Sequence, residues 1–366
     1  MKIAVMIGTR PEIIKLSRIL FELDKYTELI IIHTGQNYNF TLNEIFFNEM
    51  EIRTPDYFLS VVGKNLGETI GNIISKSYDI LQKINPDALL IYGDTNSCLS
   101  AYSAKRLKIP IFHMEAGNRC HNKQVPEEIN RKIIDHISDI NMVHSEHARH
   151  YLISEGIDPQ LIIKTGSPMK EVLTYYNDRI KNSDILTKLN LTEKEYFVLS
   201  THREENVDNE KNLLTLFDSI NKVAEHYNRR IIFSCHPRTQ KKINEIKLNL
   251  LIEIMEPIGF FDYCKLQQNA LCVLSDSGTI TEESTILGFP AIMLRKEHER
   301  PEGEGNIIMS GLESENIIDS INISVNQKLP KSINDYNVDN VSQQVVKIIV
   351  SYTEYINRVV WKKDVQ

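Results

Sequence analysis

Short β-branched runs alternate with longer amphipathic stretches along almost the whole chain, and that alternation leaves few folds open. Lys2–Ile7, Leu29–His33, Ala88–Tyr92 and Ile109–His113 read as strands, separated by helical periodicity at Glu12–Leu23, Leu66–Ile84 and Cys98–Leu107. Strands that are apolar at consecutive positions are covered on both faces, as in a parallel sheet between two helical layers. Right-handed crossovers then give a doubly wound α/β domain. The pattern begins again in the second half, with strands at Phe197–Thr201, Ile231–Cys235, Leu250–Met255, Cys272–Ser275 and Ala291–Leu294 and helices at Glu210–His226, Phe261–Gln268 and Ile280–Leu287.

At 366 residues the chain exceeds what one hydrophobic core usually supports, and its 42% apolar content suffices for two. Two Rossmann-like domains are therefore expected, over residues 1–166 and 167–344. Gly166, Ser167 and Pro168 mark the passage between them, and Val341–Trp361 reads as a helix, so that residues 345–366 dock back on the first domain.

A net charge of -7 with no long Lys/Arg run argues against nucleic acid as the main partner, so anion binding must come from local sites and a small ligand. No stretch approaches the 18 or more apolar residues of a membrane span. Met1–Gly8 is too short for a secretory h-region and runs into Thr9-Arg10-Pro11 without a cleavage site. The cysteines (Cys98, Cys120, Cys235, Cys264, Cys272) are scattered and lack CxxC spacing, so neither a disulfide framework nor a zinc site is expected. A reducing cytoplasm fits.

In doubly wound domains the loops leaving the carboxyl ends of strands hold ligands. After the first strand comes Gly8-Thr9-Arg10-Pro11-Glu12-Ile13-Ile14-Lys15, where Pro11 suits a first helical turn and Arg10 and Lys15 either meet an anion or are solvated cations. Tyr92-Gly93-Asp94-Thr95 places Asp94 at the same edge, as a site residue or a helix cap. His113-Met114-Glu115-Ala116-Gly117-Asn118-Arg119 and Val125-Pro126-Glu127-Glu128-Ile129-Asn130-Arg131 supply two carboxylates, Glu115 and Glu127, suited to acid and base work on opposite sides of one carbon. The alternative for Glu127 and Glu128 is simple complementation of the helix dipole.

In the second half Ser200-Thr201-His202-Arg203-Glu204-Glu205-Asn206 repeats the pattern, with His202 suited to a phosphate or a proton, whereas His236 reads as a structural donor. The run Ser275-Asp276-Ser277-Gly278-Thr279-Ile280-Thr281-Glu282-Glu283 opens a helix with a polar turn. Such a turn holds diphosphate oxygens while a carboxylate one turn in accepts from sugar hydroxyls. It also fits a capped helix, with Ser277 or Thr279 as cap and Glu282 or Glu283 reaching back.

Taken together and in order, these motifs, with Glu299-Arg300-Pro301-Glu302, resemble the non-hydrolysing UDP-N-acetylglucosamine 2-epimerase family nearly end to end. Glu115-Ala-Gly-Asn118-Arg119-Cys120 and Val125–Arg131 look most like the branch that forms UDP-N-acetyl-L-fucosamine from UDP-2-acetamido-2,6-dideoxy-L-talose for capsule and O-antigen. Relatives acting on UDP-GlcNAc tend to carry Leu-Arg-Thr or Leu-Arg-Ser after Glu-Ala-Gly.

The resemblance implies a glycosyltransferase-type-B (GT-B) architecture, usually a homodimer, with a UDP-linked N-acetylamino sugar in the cleft and no redox cofactor. The C2 proton of such a sugar is not acidified by a ring carbonyl. Elimination of UDP to a 2-acetamidoglycal and re-addition, with protonation of the other face, avoids direct deprotonation. By resemblance Asp94, Glu115 and Glu127 move protons at C2, and Arg10, Lys15 and His202 form the cationic side, with Arg131 among the substrate-binding residues. Ser277, Gly278 and Glu283 hold the diphosphate and ribose, and Arg300 lies near the uridine. Thr279 stands where the family often has a second Gly. Thr34-Gly35-Gln36-Asn37-Tyr38-Asn39 lacks the Gln-His segment through which some members bind a regulatory UDP-GlcNAc. The competing expectations are epimerisation of UDP-GlcNAc to UDP-ManNAc and a GT-B transferase or hydrolysing relative.

Overall fold

Lys2–Ile7 (β1) is buried from Ile3 onward because it runs through the middle of a sheet covered on both faces. The computed structural model describes residues 1–35, 40–122, 125–235, 237–246, 250–296, 300–303, 305–328 and 333–363, the side chains of 40–44, 204, 237 and 238 excepted. Around β1 lie Glu28–His33 (β2), Tyr57–Phe58 (β3), Ala88–Tyr92 (β4), Ile111–Ala116 (β5), Ile140–Val143 (β6) and Ile162–Lys164 (β7). They form one parallel sheet in the order β3-β2-β1-β4-β5-β6-β7.

A second parallel sheet comprises Tyr196–Ser200 (β8), Arg230–Ser234 (β9), Glu253–Met255 (β10), Cys272–Ser275 (β11), Ala291–Met293 (β12) and Ile308–Met309 (β13), ordered β10-β9-β8-β11-β12-β13. The strand order reverses between β1 and β4 in one sheet and between β8 and β11 in the other. Those are the crevices where doubly wound sheets take ligands. The expected architecture, two Rossmann-like parallel-sheet domains of the GT-B type, is the one the chain adopts.

Local sequence sets the helix ends. Asn65 caps Leu66–Ile84 by accepting the Glu68 amide at 2.9 Å, and Asn85 ends it in the left-handed region at φ 44°. Asn209 and Asn228 do the same for Glu210–Tyr227. Val341–Val359 buries Val341, Val345, Ile349, Thr353 and Ile356 along one face and packs against Arg10–Tyr26. Among the described residues no helix is long and apolar enough to cross a membrane.

The chain divides into two compact units, Met1–Thr174 with Asn334–Gln366 and Tyr175–Ile333, where the sequence reading placed the boundaries at 166/167 and 344/345. Gly166, taken as the passage between domains, lies inside the first unit. At φ 75° a Cβ on it would stand 2.5 Å from Cγ2 of Val338, so the returning chain crosses directly over this glycine. Glu171 clamps the same return, accepting from the amide of Ser342 at 2.9 Å and from its hydroxyl.

Candidate active site

Four of the predicted residues form two ion pairs near the carboxyl ends of β4 and β5, Lys15 with Glu115 and Arg131 with Asp94. Lys15, in the second turn of Arg10–Tyr26, places its ammonium 2.8 Å from Oε2 of Glu115, the two side chains being 4% and 14% exposed. Glu115 reaches it because β5 does not end there. The register with β6 shifts between Met114 and Ala116, and Glu115 takes φ 62°. A bulged residue in the left-handed region re-aims its side chain, a form of local strain common at functional sites. Lys15 also lies 5.5 Å from the ring centroid of Tyr92, whose hydroxyl is 3.3 Å from Nε2 of His144.

Asp94 follows β4 and is 22% exposed, with Oδ2 accepting Nε of Arg131 at 2.6 Å. Its carbonyl accepts the Asn130 side-chain amide at 2.9 Å. Arg131, expected to bind substrate, is buried and gives Nη1 to Oε2 of Glu128 at 3.1 Å, so its guanidinium is engaged by two protein carboxylates. Glu127 sits half-buried in the first turn of Pro126–Ile137. Arg10 is exposed, its guanidinium 5.2 Å from the ring centroid of Phe46.

Glu12 was not read as a site residue, yet it occupies the switch point between β1 and β4. Its Oε2 accepts the amides of Gly8 and Thr9, at 2.5 and 3.0 Å, and its Oε1 accepts the Thr95 hydroxyl at 2.5 Å. Burial outweighs those bonds and pushes the carboxyl up to about 7. Its position four residues beyond Gly8 was the available signal.

In the second unit the organising group is Asp276, fully buried between the ends of β8 and β11. It accepts the Thr201 hydroxyl at 2.6 Å, the amides of His202 and Arg203 at 3.1 Å each, and the Asn206 side-chain amide at 3.1 Å. His202 is 49% exposed, with Nδ1 3.4 Å from Oδ1 of Asp276. Asp276 thus fixes the loop that carries His202.

Ser277 accepts the Thr279 amide at 3.3 Å, and the two hydroxyls are 2.9 Å apart. Thr279 heads Ile280–Leu287 without a side-chain cap and instead donates to Oε1 of Glu283 at 2.7 Å, while Gln267 donates to Oε2 at 2.7 Å. Gly278 is buried within this turn. Arg300 is buried, with Nη1 2.9 Å from Oε2 of the buried Glu282. His236, Gln36–Asn39 and Glu299 lie outside the described residues.

Over residues 21–350 the chain matches the protein family described as UDP-N-acetylglucosamine 2-epimerase. The chain belongs to the UDP-N-acetylglucosamine 2-epimerase family. Its fold is similar to the structure of UDP-N-acetylglucosamine 2-epimerase from Rickettsia bellii, at a TM-score of 0.92 and 49% identity over 99% of this chain and 100% of that one. The Methanocaldococcus jannaschii UDP-GlcNAc 2-epimerase, solved in complex with UDP-GlcNAc and UDP, aligns at a TM-score of 0.90 and 36% identity over 96% and 100%. The UDP-2,3-diacetamido-2,3-dideoxy-D-glucuronate 2-epimerase of Pseudomonas aeruginosa is 33% identical over 82% of this chain and 84% of its own. As a member of this epimerase family the chain is an enzyme, a non-hydrolysing isomerase.

Proposed function

We propose that this epimerase inverts C2 of a UDP-linked 2-acetamido sugar by eliminating UDP to a 2-acetamidoglycal and adding it back with protonation of the opposite face. The observation that carries the reading is the buried Lys15–Glu115 pair at the carboxyl ends of β1 and β5, with Asp94 following β4, the strand between them. In the forward half-reaction a carboxylate among Asp94, Glu115 and Glu127 takes the C2 proton as the C1–O bond breaks. The electron pair of C2–H forms the C1–C2 double bond and the pair of C1–O leaves on the diphosphate. Lys15, Arg10 and His202 offset the charge developing on that oxygen. In the reverse half a second carboxylic acid protonates C2 from the other face, and the diphosphate returns to C1. Ser277, Gly278 and Glu283 hold diphosphate and ribose, with Glu282 and Arg300 bracing the helix that carries Glu283. The working form is a homodimer.

Two substrates have support. The Asn118-Arg119-Cys120 motif favours UDP-2-acetamido-2,6-dideoxy-L-talose, giving UDP-N-acetyl-L-fucosamine. The similarity to an enzyme solved with UDP-GlcNAc favours UDP-GlcNAc, giving UDP-ManNAc. Asn118, Arg119 and Cys120 are all buried, and Arg119 is spent on Asp135 and Glu155, so this motif acts on substrate choice indirectly. NMR of the enzyme with each UDP-sugar in deuterated water tests both readings. The true substrate acquires deuterium at C2 of its epimer. Free sugar and UDP without epimer would instead indicate a hydrolase, and transfer to an acceptor a glycosyltransferase.

A further inference from the structure

We propose that Glu128 is a positioning residue for the 2-epimerase reaction: it holds Arg131 so that Asp94 presents its carboxylate to the sugar in one orientation. This rests on the reading of Asp94 as a group acting at C2.

Glu128 lies in the first turn of Pro126–Ile137, where a carboxylate that merely complements the helix dipole would face solvent. It turns inward instead. Its Oε2 accepts the Cys120 amide at 3.1 Å, faces the Cys120 thiol at 3.4 Å and accepts Nη1 of Arg131 at 3.1 Å, while Oε1 accepts the His121 amide at 3.3 Å. A buried carboxylate surrounded by donors on both oxygens is held ionised. Burial alone would raise the Glu128 carboxyl, but the Cys120 amide and the Arg131 charge bring it below the usual carboxylate value.

Arg131 is three residues on, on the same helix face. Its planar guanidinium offers Nη1 to Glu128 and Nε to Asp94, so it cannot swing away from one carboxylate without leaving the other. Asn130 pins the backbone of the same turn through the Asp94 carbonyl and also donates to Oδ1 of Asn96 at 3.1 Å. Rotation of the Asp94 side chain is restrained by the 2.6 Å contact of Oδ2 with Arg131. Without Glu128, Arg131 would lose one of the carboxylates that hold its guanidinium, and its grip on Asp94 would loosen.

Steady-state kinetics of Glu128→Gln, Arg131→Lys and the double variant test the proposal, on whichever UDP-sugar the enzyme turns over. Glu128→Gln is expected to lower kcat about 10- to 100-fold, the scale of small misplacements of a reacting group, with KM changed less than about threefold. UDP affinity by calorimetry should be unchanged. In the Arg131→Lys background, Glu128→Gln should cost less than about threefold more, because both act on one carboxylate. Glu128→Asp, which keeps the charge, should recover much of the loss, and Glu128→Ser, which removes it, carries the same cycle if Glu128→Gln does not fold. Independent, multiplying effects of the two sites, or a Glu128→Asp enzyme slower than Glu128→Gln, would overturn the proposal. Asp94→Asn separates it from the reading beneath it: parent-like turnover there removes Asp94 from the chemistry while leaving the measured coupling of Glu128 with Arg131 to stand by itself.

Discussion

Lys15 and Glu115, separated by 100 positions in the chain, form a 2.8 Å ion pair that is almost wholly withdrawn from solvent. Removing one member of such a buried pair takes the nearest counter-charge from the other, at a cost of up to about 3–5 kcal/mol. Lys15→Met should therefore lower both stability and turnover, whereas Glu115→Gln keeps a partner for the ammonium and should lose turnover far more than stability. Urea unfolding set beside kcat for the two variants checks this contrast; equal destabilisation by both would contradict it.

Glu115→Gln and Glu127→Gln are each expected to reduce kcat by 1,000-fold or more, on the order of the loss when a residue of a catalytic unit is removed. UDP should still bind at near-parental affinity by calorimetry. A variant that epimerises at close to the parental rate would take that carboxylate out of the mechanism.

Glu12 makes stability depend on pH in a particular direction. Its folded value, about 7, lies above the ordinary carboxyl value of 4.5, so between these the folded state keeps a proton that the unfolded chain releases. Stability should fall as pH rises from 4.5 to 7, with a total on the order of 3 kcal/mol, and then level off. Glu12→Gln removes that slope. Unfolding free energies of parent and variant at pH 5 and pH 8 should show the variant gaining on the parent at the higher pH; a variant losing ground there would reverse the sign of the argument.

Gly117 adopts φ 81° and passes so close to the helix Glu146–Ser154 that a Cβ would stand 2.5 Å from the carbonyl oxygen of Ala148. Its amide also reaches the buried Asp135 carboxylate at 3.2 Å. Gly117→Ala combines an unfavourable backbone conformation with a clash against backbone, and should destabilise by about 2–4 kcal/mol. Thermal melting checks this, and an unchanged midpoint would mean that the loop yields freely.

Much of this architecture was legible because its signals are local. Lys2–Ile7, Leu66–Ile84, Ala88–Tyr92 and Ile280–Leu287 follow from unbroken apolar runs or helical periodicity with caps, and their bounds match the reading. Ile140–Val143 escaped it because four residues with Asn141 among them carry too little pattern. The strand read as Ile109–His113 begins at Ile111, just past Pro110, which has no amide to donate to a ladder, and continues through the bulge at Glu115.

The site was legible as a set of strand-end loops but not as a set of contacts. Arg131 was read as facing substrate, and its burial between Asp94 and Glu128 depends on residues 37 and 3 positions away. Asp276 was seen only as part of a turn, although it fixes the loop bearing His202. Glu12 and Glu128 look in sequence like acidic first-turn residues; Glu12 turns back to the amides of Gly8 and Thr9 and to the Thr95 hydroxyl, and Glu128 to the amides of Cys120 and His121, partners that sequence spacing shows only for Thr9.

The central claim is that the anomeric C–O bond is reversibly broken while UDP stays bound, and positional isotope exchange tests it most directly. With the substrate labelled by 18O in the bridge between C1 and the β-phosphorus, the account predicts that the label scrambles into the non-bridging β-phosphate oxygens at a rate comparable to epimerisation. Epimer formed at full rate with the label still in the bridge would contradict it.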